Sequence, residues 1–112
     1  IRYLLAAIFF ASGSAKLAGL EFEMVAFERG GYGLEFMYFT GTVEVLLAIA
    51  LFIPALVRYS ALGVTAVMIG AMGTHLIHAE WPMLAIATTI FILSVLQVKK
   101  LWLEHGTEDA TV

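Results

Sequence analysis

Apolar residues dominate four long stretches of the chain, and polar residues collect between them. A bilayer core about 30 Å thick needs about 20 mostly apolar residues per helix. Within lipid, a helix pairs its backbone groups inside its own segment, whereas an irregular chain leaves them unpaired. The pattern therefore predicts four membrane-spanning helices, at about residues 1–18, 36–57, 59–79 and 82–102.

The composition agrees with lipid as the solvent. Of the 112 residues, 62% are hydrophobic and 13% are charged, and the mean hydropathy is +0.96. Ordinary soluble domains are about 45–50% apolar and about 25% charged. We predict an all-α integral membrane four-helix bundle that forms a single domain over residues 1–112. Because the sequence starts with Ile1 rather than Met, we also expect a native N-terminal stretch to precede it.

One connection is long, and it covers residues 20–35. It combines four acidic residues with aromatic side chains and a glycine-rich turn. Its apolar and acidic positions follow an imperfect helical pattern, which is consistent with a short interfacial helix in the first outer loop. A solvated loop with its aromatic rings at headgroup level explains the same residues.

Basic residues are distributed unevenly between the two sides of the predicted bundle. The side with fewer basic residues also carries five acidic ones. Cytoplasmic loops of membrane proteins carry an excess of Lys and Arg, so we predict that both termini are cytoplasmic in a bacterial-type inner (plasma) membrane. The basic residues on the predicted cytoplasmic side are Arg2, Arg58, Lys99 and Lys100.

Several classes of function have no support in the sequence. The chain has no cysteine, which excludes disulfides, thiolate metal sites and cysteine nucleophiles. The net charge of −3 and the lack of a basic cluster make nucleic acid an unsuitable partner. No phosphate-binding loop, dinucleotide fingerprint or zinc-protease motif is present.

Four ionisable side chains fall within or at the ends of the predicted spans. A charged side chain within a span costs about 2.5–3.5 kcal/mol on insertion scales, so each one suggests a function. At about 1.5 Å of rise per residue, all four lie in the outer half of the bundle. We predict a polar cluster in which Lys16 pairs with Glu44, as a quinone or proton site. Its members are Lys16, Glu44, His75 and His78.

Other interpretations of these residues remain open. Lys16 near a helix end can extend to the headgroups without any partner. His75 and His78 share a helical face, as two ligands of one metal do. A metal needs further ligands, and without cysteine only Glu44, Glu80, the acidic residues of the long connection or another subunit could supply them. We therefore predict no metal site.

Small residues recur at helical spacing on the first and third predicted spans. Such series let helix backbones approach closely. We predict close helix packing at Ala11 and Ala15 and at Ala66 and Gly70. Plain packing with no site between the helices is the alternative.

Three segments together resemble the DoxX family of small membrane proteins. They are FFASGSAKLAG (residues 9–19), GTVEVLLAIALFIP (41–54) and GAMGTHLIHAEWP (70–82). The resemblance implies a four-helix bundle with cytoplasmic termini. It also implies a link to quinone-coupled membrane oxidoreductases, such as a subunit of a thiosulfate:quinone oxidoreductase, and it carries over Lys16 and Glu44 as the polar pair.

Two functions follow as hypotheses. The first is an accessory or quinone-interacting subunit of a membrane redox complex, with quinone as the one cofactor suggested. The second is a purely structural or assembly subunit without chemistry of its own. Partners would be the lipid bilayer and either a larger membrane complex or further copies of the chain. A transporter ranks last because the inner half lacks a polar path, and the sequence leaves open whether the chain is an enzyme.

Overall fold

A computed structural model describes the backbone of residues 1–111 and the side chains of residues 1–104. Over this range the chain is all α-helical, which confirms the predicted fold class at that level. The helices are α1 (Arg2–Leu17), α2 (Glu21–Arg29), α3 (Gly33–Ala50), α4 (Val57–Ile77) and α5 (Trp81–Thr111).

Three of these helices, α3, α4 and α5, are long and apolar enough to cross a membrane. Helices α1 and α2 form a pair bent by 84°, and the pair adds a fourth crossing if it is counted as one span. The described surface suits lipid, because many large apolar side chains are exposed on it; Phe22 is 65% exposed and Ile77 is 79% exposed.

The long connection contains a helix, α2, so the helical interpretation of residues 20–35 agrees with the structure. Glu21 and Glu23 lie in its first turn and Arg29 in its last. Acidic groups near the start and basic groups near the end of a helix interact favourably with its dipole. Gly19 and Gly31 end α1 and α2 with φ of 66° and 80°, a conformation that glycine adopts without strain. These two tight turns therefore place α2 against the ends of α1 and α3.

Helix α3 differs from the span predicted at 36–57. It begins at Gly33 and ends at Ala50, and turns occupy most of the chain before α4. The apolar run continues through Phe52 and Ile53, which is why the pattern alone extended the span. Pro54 explains the earlier end, because proline disfavours helical geometry at the residue before it.

The long helices pack as two pairs, α1 with α3 and α4 with α5. Contacts between the pairs are sparser and run mainly from α3 to α4. The hydroxyl of Ser60 in α4 donates to the carbonyl of Leu47 in α3 at 2.7 Å, across that boundary. The buried core runs from the end with the N-terminus of α1 to the middle of the helices. It comprises Leu5, Ala6, Phe9, Ala48, Leu51, Val57, Val64, Met68 and Ala87.

Two glycines set the distance between α1 and α3. A Cβ on Gly13 would lie 2.7 Å from the carbonyl oxygen of Gly41, and a Cβ on Gly41 would lie 2.9 Å from the carbonyl oxygen of Gly13. Real side chains do not tolerate such contacts with backbone atoms. The close approach of the two helices therefore requires glycine at both positions.

The four small residues singled out in the sequence are placed as follows. Ala11 is exposed and Ala15 is half-buried, while Gly13 on the same helix makes the close contact. Ala66 and Gly70 are exposed, and a Cβ on Gly70 would meet nothing within 4 Å. On α4, Gly70 therefore borders open space and makes no close contact with another described helix.

We expect Gly13→Ala to destabilise the protein by about 1–3 kcal/mol, because the new methyl group overlaps the α3 backbone. Gly73→Ala is the matched control, since a Cβ there meets nothing within 4 Å. That change gains up to about 1 kcal/mol from helix propensity. Reversible unfolding in mixed detergent micelles measures both, and equal effects of the two substitutions would contradict the glycine contact.

Candidate functional site

A cavity of about 890 Å³ lies between the two helix pairs, and all five helices contribute to its lining. Ala66 and Gly70 of α4 are part of its wall. Polar side chains gather around the ends of α1 and α4, in two groups. We call Ser12, Lys16, Glu23 and Glu44 the Lys16 cluster, and Arg29, His75 and Glu80 the Glu80 cluster; all of these residues line the cavity.

The Lys16 cluster is a buried network around one ammonium group. Lys16 Nζ lies 2.9 Å from Glu44 Oε1 and 3.4 Å from Glu23 Oε2, and it donates to Ser12 Oγ at 2.8 Å. Ser12 Oγ lies 3.2 Å from each carboxylate oxygen of Glu44. The side chains of Lys16 and Glu44 are 10% and 8% exposed. Each buried charge therefore has an opposite charge and a hydrogen bond, which lowers the cost of removing it from water.

Local folding brings the members of this cluster together. Gly13 and Gly41 lie one helical turn from Lys16 and Glu44, so the glycine contact sets the α1–α3 separation where the ion pair forms. The turn at Gly19 then directs α2 back over the end of α1. That turn brings Glu23 within reach of the ammonium group.

The Glu80 cluster joins three separate parts of the chain. His75 Nδ1 lies 3.0 Å from Glu80 Oε1, and the Arg29 guanidinium binds Glu80 Oε2. Ala79 adopts φ of 54°, which is unusual for a residue with a side chain. This turn lets the backbone amide of Glu80 donate to the carbonyl of His75 at 2.9 Å. The strained residue thus holds the Glu80 carboxylate against the histidine one turn before it.

The environment of Glu80 stabilises its charged form. The hydrogen bond from His75 is the main cause, with help from the positive charge of Arg29, and together they lower the pKa of the Glu80 carboxyl. The carboxylate is therefore ionised at neutral pH. It forms the centre of a bridge between α2 and the turn that joins α4 to α5.

A second contact connects the same parts of the molecule. The hydroxyls of Tyr32 and Thr74 are 2.8 Å apart, joining the turn after α2 to α4. Tyr32 also packs against Phe27 and Phe36, with ring centroids 6.2 Å and 5.3 Å away. Aromatic rings and two polar contacts therefore enclose the cavity on the side of α2.

The predicted site residues are placed as follows. Lys16 and Glu44 are in contact. His75 faces the same cavity, but among the described side chains no hydrogen bond or ion pair joins it to either of them. His78 is exposed, and its Nδ1 bonds to a backbone carbonyl one turn earlier at 2.8 Å. Within the described residues, no three His, Asp or Glu side chains come together in a way that could hold a metal ion.

Four residues of the two clusters were not among the predicted site residues: Ser12, Glu23, Arg29 and Glu80. Ser12 has a local signal, because it lies one helical turn before Lys16 on the same face. Glu23 becomes a neighbour of Lys16 only through the turn at Gly19. Arg29 and Glu80 are distant in sequence, and only their opposite charges on one side of the membrane suggest that they pair.

Fold and site together define a small, all-α, multi-pass membrane protein with a largely apolar cavity, which carries two polar clusters, between two helix pairs. The model of the DoxX-like family matches residues 1–97, and the chain belongs to that family. This finding confirms the resemblance seen in the sequence. Neither the curated proteins nor the solved structures contain a match to the chain.

The lowered pKa of Glu80 predicts how its contribution to stability depends on pH. The contribution is complete above the ordinary glutamate value of 4.5 and is lost as the pH falls through the lowered value. We expect Glu80→Gln to lower the Tm at neutral pH, with a difference from the unmodified protein that narrows in acid. Thermal unfolding between pH 7 and pH 3 measures this, with the exposed Glu35→Gln as control. A difference that stays constant at all pH values would contradict it.

Proposed function

We propose that this protein is a quinone-interacting accessory subunit of a membrane redox complex and that the quinone ring binds in the cavity. The supporting observation is the cavity itself, which combines two polar clusters with largely apolar walls. Pockets for small molecules typically have volumes of about 300–1,000 Å³ and apolar linings with a few polar groups. A cavity of about 890 Å³ falls within that range.

The lining fits the shape and polarity of a quinone. Such a ring carries two carbonyl oxygens on an apolar body, and those oxygens need hydrogen-bond donors. Lys16, Arg29 and Tyr32 present an ammonium, a guanidinium and a hydroxyl group at the cavity. Aromatic and aliphatic side chains suit the ring and its tail. They include Phe27, Phe36, Met83, Ile86 and Ile90.

Two lining residues can hold or release a proton beside the ring. A quinone, when bound, supplies a two-electron couple that takes up and releases protons. Glu44 and His75 both line the cavity and both have side chains suited to proton transfer. In this proposal the electrons come from a partner subunit, since the chain has no cysteine to provide a thiol couple.

The proposal includes a topology. The chain crosses a bacterial-type inner membrane four times, with α1 as the first crossing and α2 along the outer surface. The 84° bend between those helices supports this arrangement. The uneven distribution of basic residues supports cytoplasmic termini. The cavity then opens in the half of the membrane away from the cytoplasm.

A structural subunit is the second candidate, and one observation favours it. Among the described residues, each buried side-chain nitrogen and oxygen atom has a hydrogen-bond partner. A network that is already satisfied needs no ligand, and it can serve to fix helix positions within a larger complex or a homo-oligomer.

Filling the cavity tests the quinone proposal. We expect Gly70→Leu to weaken binding of ubiquinone-1 about tenfold or more, a loss of about 1.4 kcal/mol or more. Gly70 lines the cavity, and a Cβ at this position would meet nothing within 4 Å, so the backbone there accepts a side chain. Gly73→Leu is the control, since Gly73 is on the same helix and is not part of the lining. Binding is measured in lipid nanodiscs, with protein-free nanodiscs subtracted and thermal unfolding recorded for each variant.

Two results would contradict this proposal. One is an absence of saturable ubiquinone-1 binding by the unmodified protein. The other is equal binding by the Gly70→Leu and Gly73→Leu proteins when both are folded. In either case the structural role would become the better account of the cavity.

A further inference from the structure

The charges that line the cavity do not balance. Each helix except α5 contributes at least one titratable group, and α5 contributes Met83, Ile86, Ala87 and Ile90. The lining holds three acidic side chains, on Glu23, Glu44 and Glu80, and two basic ones, on Lys16 and Arg29. With His75 neutral, the cavity therefore carries one negative charge in excess.

The excess charge belongs to one of the two clusters. Arg29 and Glu80 pair with each other in the Glu80 cluster, beside His75. In the Lys16 cluster a single ammonium group serves two carboxylates, on Glu23 and Glu44. The side chain of Glu23 is 14% exposed, so neither carboxylate is freely solvated. A buried cluster of this composition is neutral only when it holds one more positive charge.

Aromatic rings line the cavity next to this cluster. Phe27 is the nearest, and its ring centroid lies 6.0 Å from Lys16 Nζ, within the range of a cation–π contact. Phe36 packs against Phe27 at 6.1 Å and against Phe39 at 6.3 Å. The space beside the unbalanced carboxylates therefore offers π faces, which attract organic cations, and apolar walls, which accept their hydrocarbon parts.

We propose that the cavity binds lipophilic organic cations, and that the bound cation replaces one proton at the Lys16 cluster. This inference goes beyond the quinone proposal, because it concerns the charge of the ligand, and it shares with that proposal only the need for an accessible cavity. Raising the pH removes the competing proton. His75, Arg29 and Glu80 are the other acidic or basic side chains that face this cavity, and they stand in a separate cluster. Affinity for the cation therefore rises with pH.

A pair of ions with the same shape and opposite charge provides the test. Tetraphenylphosphonium and tetraphenylborate are titrated against the protein in nanodiscs of zwitterionic lipid, with protein-free nanodiscs subtracted. We expect saturable binding of the phosphonium, tighter at higher pH, with release of about one proton per bound ion into weak buffer. We expect no saturable binding of the borate.

Two glutamates on α2 supply matched variants. Glu23→Gln leaves one carboxylate for one ammonium group in the Lys16 cluster, and we expect it to weaken phosphonium binding about tenfold or more. Glu21→Gln changes an exposed residue in the same helical turn, outside the lining, and leaves the affinity unchanged. If the Glu23→Gln protein does not fold, Gly70→Leu is used instead, since it blocks the cavity without changing its charge.

The outcomes separate this inference from the quinone proposal. Equal binding of both ions, or equal affinity of the Glu23→Gln and Glu21→Gln proteins for the phosphonium, would overturn the charge-based inference. So would an absence of phosphonium binding by a protein that binds ubiquinone-1, and that result would leave the quinone proposal intact. Binding of neither phosphonium nor ubiquinone-1 would overturn both.

Discussion

The buried ion pair between Lys16 and Glu44 is the constraint on which the rest of this structure depends. An isolated charge is costly within lipid, so each of these side chains needs the other. Their contact at 2.9 Å requires α1 and α3 to approach closely, and Gly13 and Gly41 permit that approach. The same ammonium group also binds Glu23 and so anchors α2. One ammonium group thus connects three of the five described helices through two ion pairs.

The cavity follows from this arrangement. Because α1 packs closely against α3 and α4 against α5, while contacts between the two pairs are sparse, space remains between the pairs near the polar clusters. Ala66 and Gly70 line that space, and a Cβ at Gly70 would meet nothing within 4 Å. The polar clusters lie at its edge and α2 lies beside it, held by Arg29 and Glu80. Buried ionisable groups next to such a space are the reason for proposing a ligand.

The sequence predicted those features that depend on local pattern and depth. Apolar runs predicted the long helices, and depth along the helices predicted that Lys16 and Glu44 meet. The sequence did not predict those contacts that depend on how the helices are arranged relative to one another. The alanine series on α1 predicted a contact at Ala11 and Ala15, whereas the close contact with α3 is made by Gly13. The sequence of α1 alone does not show which of its faces packs against α3. Glu23 reaches the cluster through the 84° bend between α1 and α2, which helical periodicity does not encode.

The central claim is that Lys16 and Glu44 stabilise the fold as a pair, and a double-mutant cycle tests it most directly. The variants are Lys16→Met, Glu44→Gln and their combination, and the free energy of unfolding is measured for each in mixed micelles. The account predicts that the two single changes overlap in the double variant, with a coupling energy of about 0.5–3 kcal/mol. Strictly additive losses would contradict it, because they would mean that each side chain acts without the other.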